Sequence, residues 1–318
     1  MAHWDLPVDE LRQFRSAANE PADFDEFWAG TLAEARTLAA PPALTEVETG
    51  LRAVHTSDVT FSGYGGQPVK AWLIRPLGLD GPLPVAVQFI GYGGGRGFPH
   101  DWLLWSAAGY ANLVMDTRGQ GGGWRAGDTA DGDGAGPQTP GFLTRGVLDP
   151  KTYYYRRLIT DAVRAVETAR ELPDVADVLV TGISQGGGLA LAAAGLCGDA
   201  VSGVIAGVPF LCDIRRAVTI TDQNPYAEFA AFCRLDPRRA AAALSTVDYV
   251  DGVHFAPRIT APALVSAALM DVTCPPSTVF AAYNAIPGRK ELALYEWDGH
   301  DGVQGDFSQR SVRFANKL

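Results

Sequence analysis

The chain is poor in cations, in cysteine and in long apolar runs, and each shortage removes a class of function. Lys and Arg number 26 against 36 Asp and Glu, a formal net charge of −10. No basic surface is on offer to nucleic acid or to an anionic membrane. No apolar run approaches the length that crosses a bilayer. The first residues, Met-Ala-His-Trp-Asp-Leu-Pro-Val-Asp-Glu, carry neither the cationic start nor the apolar stretch of a signal peptide. The four cysteines, Cys197, Cys212, Cys233 and Cys274, have no C-x-x-C spacing and no histidine pair nearby. Free thiols in a reducing cytoplasm are therefore expected, not disulfides or zinc. No P-loop G-K-[ST] and no H-E-x-x-H metal motif occurs, so no metal or organic cofactor is expected.

What is present is a globular composition, 47% apolar and 19% charged over 318 residues, enough to bury a large core. Residues 24–38 place Phe24, Phe27, Trp28, Leu32 and Leu38 at near-helical spacing, which predicts an N-terminal helical extension within residues 1–40. Residues 58–62 and 69–75 read as a hairpin turned at 63–67. Strands and helices then alternate. Strands are expected at 85–90, 111–116, 178–182, 203–208, 263–270 and 292–297. Helices are expected at 102–108, 153–172, 189–196 and 277–286, with a last one from about Phe307. That alternation predicts an α/β protein with a mostly parallel sheet and helices on both faces.

Two stretches break the pattern. Residues 117–151 form a Gly-, Asp- and Pro-rich segment too long for an ordinary connection, so a functional or interfacial loop is expected. The aromatic run Tyr153–Tyr155 beside it offers bulk suited to a subunit interface. Residues 210–256 read mostly helical, with Asp236 placed to cap a helix from Pro237. An insertion there is expected to cap the strand ends, where α/β sheets bind ligands. A single domain with an inserted cap is the expected organisation.

The most informative segment runs from Asp177 to Gly188. A Val-Leu-Val strand ends in Gly182-Ile-Ser184-Gln-Gly186, and a small-residue helix follows at once. This is G-x-S-x-G in the strand–turn–helix context that gives the motif meaning. The sharp turn exposes the serine hydroxyl, and the free N–H groups of the new helix face whatever the serine attacks. A serine needs a base, and the base needs an orienting carboxylate, in the chain order Ser, Asp or Glu, His. Only His254 and His300 follow Ser184. His254 falls in the insertion, flanked by Val253 and Phe255, and is read as packed. His300 follows a strand, in Trp297-Asp-Gly-His300-Asp-Gly. Asp271 likewise ends the strand at 263–270, whereas Asp213, Asp222 and Asp248 are read as solvated charges of the insertion.

The oxyanion of acyl transfer requires two donors. The N–H of Gln185 is one, and the Gly91-Tyr92-Gly-Gly-Gly-Arg96-Gly97 loop offers the N–H of Tyr92 as the other. A dinucleotide loop there is excluded by spacing, because the third glycine would fall on Arg96. Trp105, Trp124, Pro209 and Phe210 are candidates to wall a pocket, with core packing the plainer explanation for each.

Gly91-Tyr92 with Gly95-Arg96-Gly97, Asp116-Thr-Arg118-Gly119-Gln120-Gly121, Gly182-x-Ser184-Gln185-Gly186, and Asp271-Val-Thr-Cys274 before Pro-Pro-Ser-Thr-Val-Phe-Ala-Ala-Tyr-Asn284 together resemble the acetyl xylan esterase/cephalosporin C deacetylase family, carbohydrate esterase family 7. The resemblance spans nearly the whole chain. It implies an α/β-hydrolase fold and a serine esterase acting on acetylated xylo-oligosaccharides and cephalosporin C through an acetyl-enzyme. It implies Ser184, Asp271 and His300 as triad, Tyr92 and Gln185 as oxyanion donors, and Arg118-Gly119-Gln120 as a structural signature near the site. It also implies a hexamer, a trimer of dimers, with residues 117–151 packing between subunits. The family's His-Glu pair stands here as His300-Asp301. Another acyl hydrolase of the same fold, for small esters or peptides, is the alternative. A ligand-binding protein on a dead hydrolase fold would have lost one of the three triad residues, and all are present.

Overall fold

The structure, a computed structural model, describes residues 2–79, 81–132, 141–301 and 304–318. The N-terminal part supplies helices α1 (Val8–Leu11) and α2 (Phe24–Thr37), then strands β1 (Ala43–Glu46), β2 (Val54–Ser62) and β3 (Pro68–Pro76). There follow β4 (Leu83–Phe89), α3 (Leu104–Ala107), β5 (Ala111–Met115), α4 (Tyr154–Glu171), β6 (Val175–Ile183), α5 (Gln185–Cys197) and β7 (Gly203–Gly207). The segment between β7 and β8 holds α6 (Ile214–Ile220), α7 (Tyr226–Leu235), α8 (Ala240–Val247) and α9 (Gly252–Phe255). The chain closes with β8 (Ala263–Ala268), α10 (Pro276–Ala285), β9 (Lys290–Tyr295) and α11 (Gln304–Ala315). No helix among the described residues is long and apolar enough to cross a membrane.

Among the described residues, nine strands form one sheet in the order β1-β2-β3-β5-β4-β6-β7-β8-β9. β1 to β3 and the β3–β5 pair are antiparallel, and every pair from β5 to β9 is parallel. The chain leaves β4 for β5 on one side and returns to β6 on the other, so the order reverses at β4. The crevice at such a switch point is where open α/β sheets bind ligands. The Tyr92 loop and Ser184 both start there.

Sequence pattern explains the layers. The central strands β5, β7 and β8 are buried at every residue, as a parallel sheet covered on both faces requires. α5 follows Gln185 with three glycines and continues in alanine and leucine, and its residues from Gln185 to Ala194 are all buried. A Cβ on Gly186 would lie 2.3 Å from the Phe89 carbonyl oxygen, so only glycine lets this helix sit against β4. α4 is also buried along nearly its whole length, although it carries Arg157, Asp161 and Arg164. Its charges survive burial by pairing: Asp161 meets Arg118, and Arg157 meets Asp131 at 2.9 and 2.7 Å.

Three sequence expectations change here. Tyr153, Tyr154 and Tyr155 are 0% exposed within this single chain, so they are core residues and not interface bulk. Asp213 and Asp248 are also buried, not solvated: Asp248 takes both oxygens to Arg215 at 2.7 and 2.6 Å, and burial pushes the Asp213 carboxyl up. The insertion is not wholly a cap, since Phe255 at the end of α9 packs with Phe24 and Trp28 in the core. Asp236 does cap the turn that opens at Pro237, accepting from Arg238 N at 3.2 Å, but that turn is 3₁₀ and α8 starts at Ala240. Of the glycine-rich tract 127–136, residues 133–136 lie outside the described residues.

Candidate active site

β6 ends at Ile183, and the chain turns into α5 through Ser184 at φ 57°, ψ −118°. A non-glycine residue at positive φ is strained, and such strain persists only where neighbours over-determine it. Here they do. Ser184 N donates to Gly207 O at 2.8 Å, and Ser184 O accepts from Gly188 N at 3.0 Å and from Phe210 N at 2.9 Å. Gly182 and Gly186 face each other so closely that a Cβ on Gly182 would meet Gly186 backbone at 2.3 Å. The hydroxyl of Ser184 is left standing at the switch-point crevice.

His300 follows β9 and is part-exposed, with its side chain at 25%. Its Nε2 lies 3.0 Å from Ser184 Oγ and its Nδ1 2.9 Å from Asp271 Oδ2. A carboxylate only accepts, so Nδ1 bears the proton and donates to Asp271, which leaves Nε2 to accept from the serine. Asp271 follows β8 and is fully buried. Its Oδ1 accepts from Thr273 N and Cys274 N, both at 2.8 Å, which locks the carboxylate with Oδ2 toward the histidine. The three residues that sequence logic selected from three separate strand ends thus form one continuous hydrogen-bonded relay.

Among the described residues, Asp271, Cys274 and His300 are the one group whose ligand atoms lie close enough together to hold a metal ion, within 4.8 Å. Its donors are already engaged. Both His300 nitrogens serve Asp271 and Ser184, one Asp271 oxygen holds two backbone N–H groups, and burial pushes the Cys274 thiol well up, away from thiolate. The donor set fits proton relay better than metal ligation.

The Tyr92 loop lies beside Ser184 and is held from several sides. Trp124 Nε1 donates to Tyr92 O at 2.9 Å, and Gly93 N donates to Gln120 Oε1 at 2.6 Å. The Tyr92–Gly93 peptide is therefore pinned at both its carbonyl and its N–H. Gln120 Nε2 donates to Gln185 Oε1 at 2.9 Å and to Tyr154 Oη at 3.0 Å. Tyr155 Oη also donates to Gln185 Oε1, at 3.0 Å, and Gln185 Nε2 donates to Ile90 O at 3.2 Å. Arg118, fully buried, grips Asp161 with Nε at 2.5 Å and Nη2 at 2.7 Å, and reaches Gln67 with Nη1 at 2.7 Å. The planar fork of an arginine suits such a tie between a helix and a hairpin. Gly119, between Arg118 and Gln120, has φ +65°, and a Cβ there would lie 2.8 Å from Asp131 Cβ, so glycine makes the turn that sends Arg118 inward to α4 and Gln120 to the site.

The remaining candidates separate. His254 is buried against Phe24, its pKa pushed down by burial, and takes no part in the site. Trp105 packs in the cluster with Ala86, Leu179 and Phe307, apart from the core group that contains Tyr92 and Phe210. Phe210 is fully buried beside Tyr92. Trp124 alone of the four aromatic and proline candidates is largely exposed, at 53%, with its indole over Gly94. Glu228, which no sequence signal marks, accepts from the Tyr92 phenol.

A parallel sheet with a strained serine at the switch point, a histidine after the last strand and a carboxylate after the strand before it defines an α/β-hydrolase. Within that class the chain belongs to the acetyl xylan esterase (AXE1) family, a family of carboxylic ester hydrolases, whose model matches residues 1–318. An acetyl xylan esterase from a Paenibacillus species has a similar structure, with TM-score 0.92 and 36% identity over 98% of this chain and 100% of that one. Acetyl xylan esterase 1 from a Thermoanaerobacterium species gives TM-score 0.89 and 34% identity, over 97% and 98% of the two chains. The acetyl esterase Axe7A of Xylanibacter ruminicola is 28% identical over 297 residues, 88% of this chain. The chain spans 63% of that relative's length.

Proposed function

We propose that the chain is a serine esterase that removes acetyl groups from small acetyl esters, acetylated xylo-oligosaccharides first among them. The Ser184–His300–Asp271 hydrogen-bond relay, at 3.0 and 2.9 Å, is the observation that carries this reading. Ser184 Oγ attacks the acetyl carbonyl while His300 Nε2 takes its proton, and Asp271 steadies the imidazolium that forms. The tetrahedral oxyanion is received by the N–H groups of Tyr92 and Gln185, donors that need no reorganisation because the side chains around them are fixed. His300 then returns the proton to the leaving alcohol. Water repeats the cycle on the acetyl-enzyme, releasing acetate and free Ser184.

The names of the relatives favour acetylated xylan as the alcohol side, and the family resemblance extends the reading to cephalosporin C. The same resemblance favours a hexamer built through residues 117–151, which light scattering at micromolar concentration tests: a monomer would overturn it. Four free cysteines suit a reducing, cytoplasmic setting.

The test of activity is a panel of p-nitrophenyl esters from acetate to octanoate, beside acetylated xylobiose and cephalosporin C. Fastest turnover of acetate is expected from the family resemblance, which implies a small acyl pocket where a larger acyl group would clash. Faster turnover of octanoate would move the protein to another acyl hydrolase activity. A fluorophosphonate should label Ser184. The base must be neutral to accept a proton, so kcat/KM should rise with pH, and a profile flat between about pH 5 and 8 would count against a histidine base.

A further inference from the structure

We infer that Glu228 is a positioning residue for ester cleavage, holding the Tyr92 loop through the Tyr92 phenol so that the Tyr92 N–H meets the oxyanion; this rests on the serine-esterase reading above. Glu228 sits in the first turn of α7 and is only 8% exposed. Its two oxygens lie 2.7 and 2.8 Å from Tyr92 Oη, and one of them also accepts from Leu143 N at 3.1 Å. Phe142 N donates to Tyr92 Oη. That contact fills the acceptor side of the phenol and directs its hydrogen at the carboxylate.

The chemistry of the pair fits one direction of donation. Burial and the Glu228 charge push the Tyr92 phenol far up, so it stays a donor. Burial raises the Glu228 carboxyl, while Tyr92, the two backbone N–H groups and nearby Arg145 act in the opposite direction. The site is also close-fitting. A Cβ on Gly141 would lie 2.1 Å from a Glu228 oxygen, so the backbone before Phe142 is pressed against the carboxylate.

A backbone donor needs no particular side chain, so the phenol at position 92 has a separate task. It reaches across the crevice to a helix of the insertion. Trp124 and Gln120 fix the peptide after Tyr92, and Glu228 fixes its side chain, so the residue is held at three points. An oxyanion donor acts only when it is within a few tenths of an ångström of its target, and losing one outright costs about 10²–10³ in kcat. Loosening one costs less, and the loss falls on the transition state and not on ground-state binding.

The experiment is a double-mutant cycle on the full chain with Tyr92→Phe and Glu228→Ala, using p-nitrophenyl acetate as substrate and methylboronic acid as a tetrahedral mimic. Each single variant is expected to lower kcat/KM about tenfold, the loosened-donor cost, and to weaken boronate binding in parallel. Inhibition by acetate, a ground-state ligand, should not change. The double variant should lose no more than the worse single. Glu228→Gln, which keeps one acceptor oxygen for the phenol, should recover part of the loss, and it completes the cycle if Glu228→Ala does not fold. Additive losses, boronate affinity that stays constant while kcat/KM falls, or wild-type rates in both singles would overturn the role of Glu228. Ser184→Ala measured alongside separates the two levels: a dead Ser184→Ala beside an unaffected Glu228→Ala removes only this inference, whereas an active Ser184→Ala removes the esterase reading beneath it.

Discussion

Gln120 and Gln185 face each other amide to amide. Gln120 Nε2 donates to Gln185 Oε1 at 2.9 Å, and Gln185 Nε2 lies 3.3 Å from Gln120 Oε1. The pair couples the residue after the serine to the residue that holds Gly93, so the two sides of the crevice share one support. Gln120→Leu would leave Gly93 N–H and one Gln185 oxygen contact unmet, and an unsatisfied buried polar group costs about 1–3 kcal/mol. We expect a lower unfolding midpoint together with a loss of kcat/KM on acetate esters. Unchanged kinetics in a destabilised variant would limit Gln120 to a structural part.

Ser184→Ala removes one small hydroxyl from a turn held by backbone hydrogen bonds, so the fold should persist. Loss of a triad nucleophile reaches about 10⁶ in kcat in well-studied enzymes. Activity surviving within tenfold of wild type, roughly 1.4 kcal/mol of barrier, would end the nucleophile assignment.

How much of this can be read without the structure follows from how local each signal is. The serine turn is written in five adjacent residues, and the strand-end positions of Asp271 and His300 follow from apolar runs that stop just before them. β1 leaves no trace because all four of its residues are exposed, and an edge strand with no buried face has no alternation to detect. Tyr153–Tyr155 mislead for the opposite reason. Aromatic bulk looks the same in sequence whether it meets a partner or its own core, and here α4 buries it. Asp248 misleads because its partner, Arg215, comes from another turn of the insertion, and Asp213 because it is buried with Ser16 of the distant N-terminal segment as its side-chain partner. Glu228 is invisible because its partner, Tyr92, is 136 residues away and no motif links them.

Arg118→Met should destabilise the fold more than the loss of one charge on the surface ever does. Arg118 and Asp161 are both 0% exposed, and removing one partner leaves the other buried and uncompensated. Breaking such a pair costs about 3–5 kcal/mol. Arg118→Lys should recover only part, since an ammonium cannot reproduce the two parallel contacts to Asp161 or the third to Gln67. Urea midpoints of the three proteins at pH 7 measure this; equal midpoints would mean the buried ion pair contributes nothing.

Gly186→Ala tests the depth of α5. The new methyl would stand 2.3 Å from Phe89 O, a backbone atom that cannot turn aside, so helix or strand must shift. Overpacking of this kind costs about 1–3 kcal/mol, and the shift would move Ser184 relative to the Tyr92 loop. We expect a lower thermal midpoint and a weaker reaction with the fluorophosphonate. A midpoint at the wild-type value would show that the helix has room to spare.

The insertion should make stability depend on pH through Asp251. This fully buried carboxylate accepts from Asp213 N at 2.8 Å, Ile214 N at 2.7 Å and Val253 N at 3.0 Å, so it gathers the starts of α6 and α9. Burial nevertheless pushes its pKa up to about 7, with the nearby Asp213 charge adding to the rise against those three N–H groups. A free aspartate titrates near ~3.9. Between those values the folded chain keeps a proton that the unfolded chain has lost. The stabilisation tied to that proton is complete below the unfolded value and fades as pH rises through about 7. Asp251→Asn cannot titrate, although its amide N–H meets donors and lowers stability at every pH. The gap in unfolding free energy between wild type and variant should therefore narrow as pH rises from 4.5 to 7.5, roughly the window between the two values. Parallel curves across that window would place the Asp251 proton elsewhere.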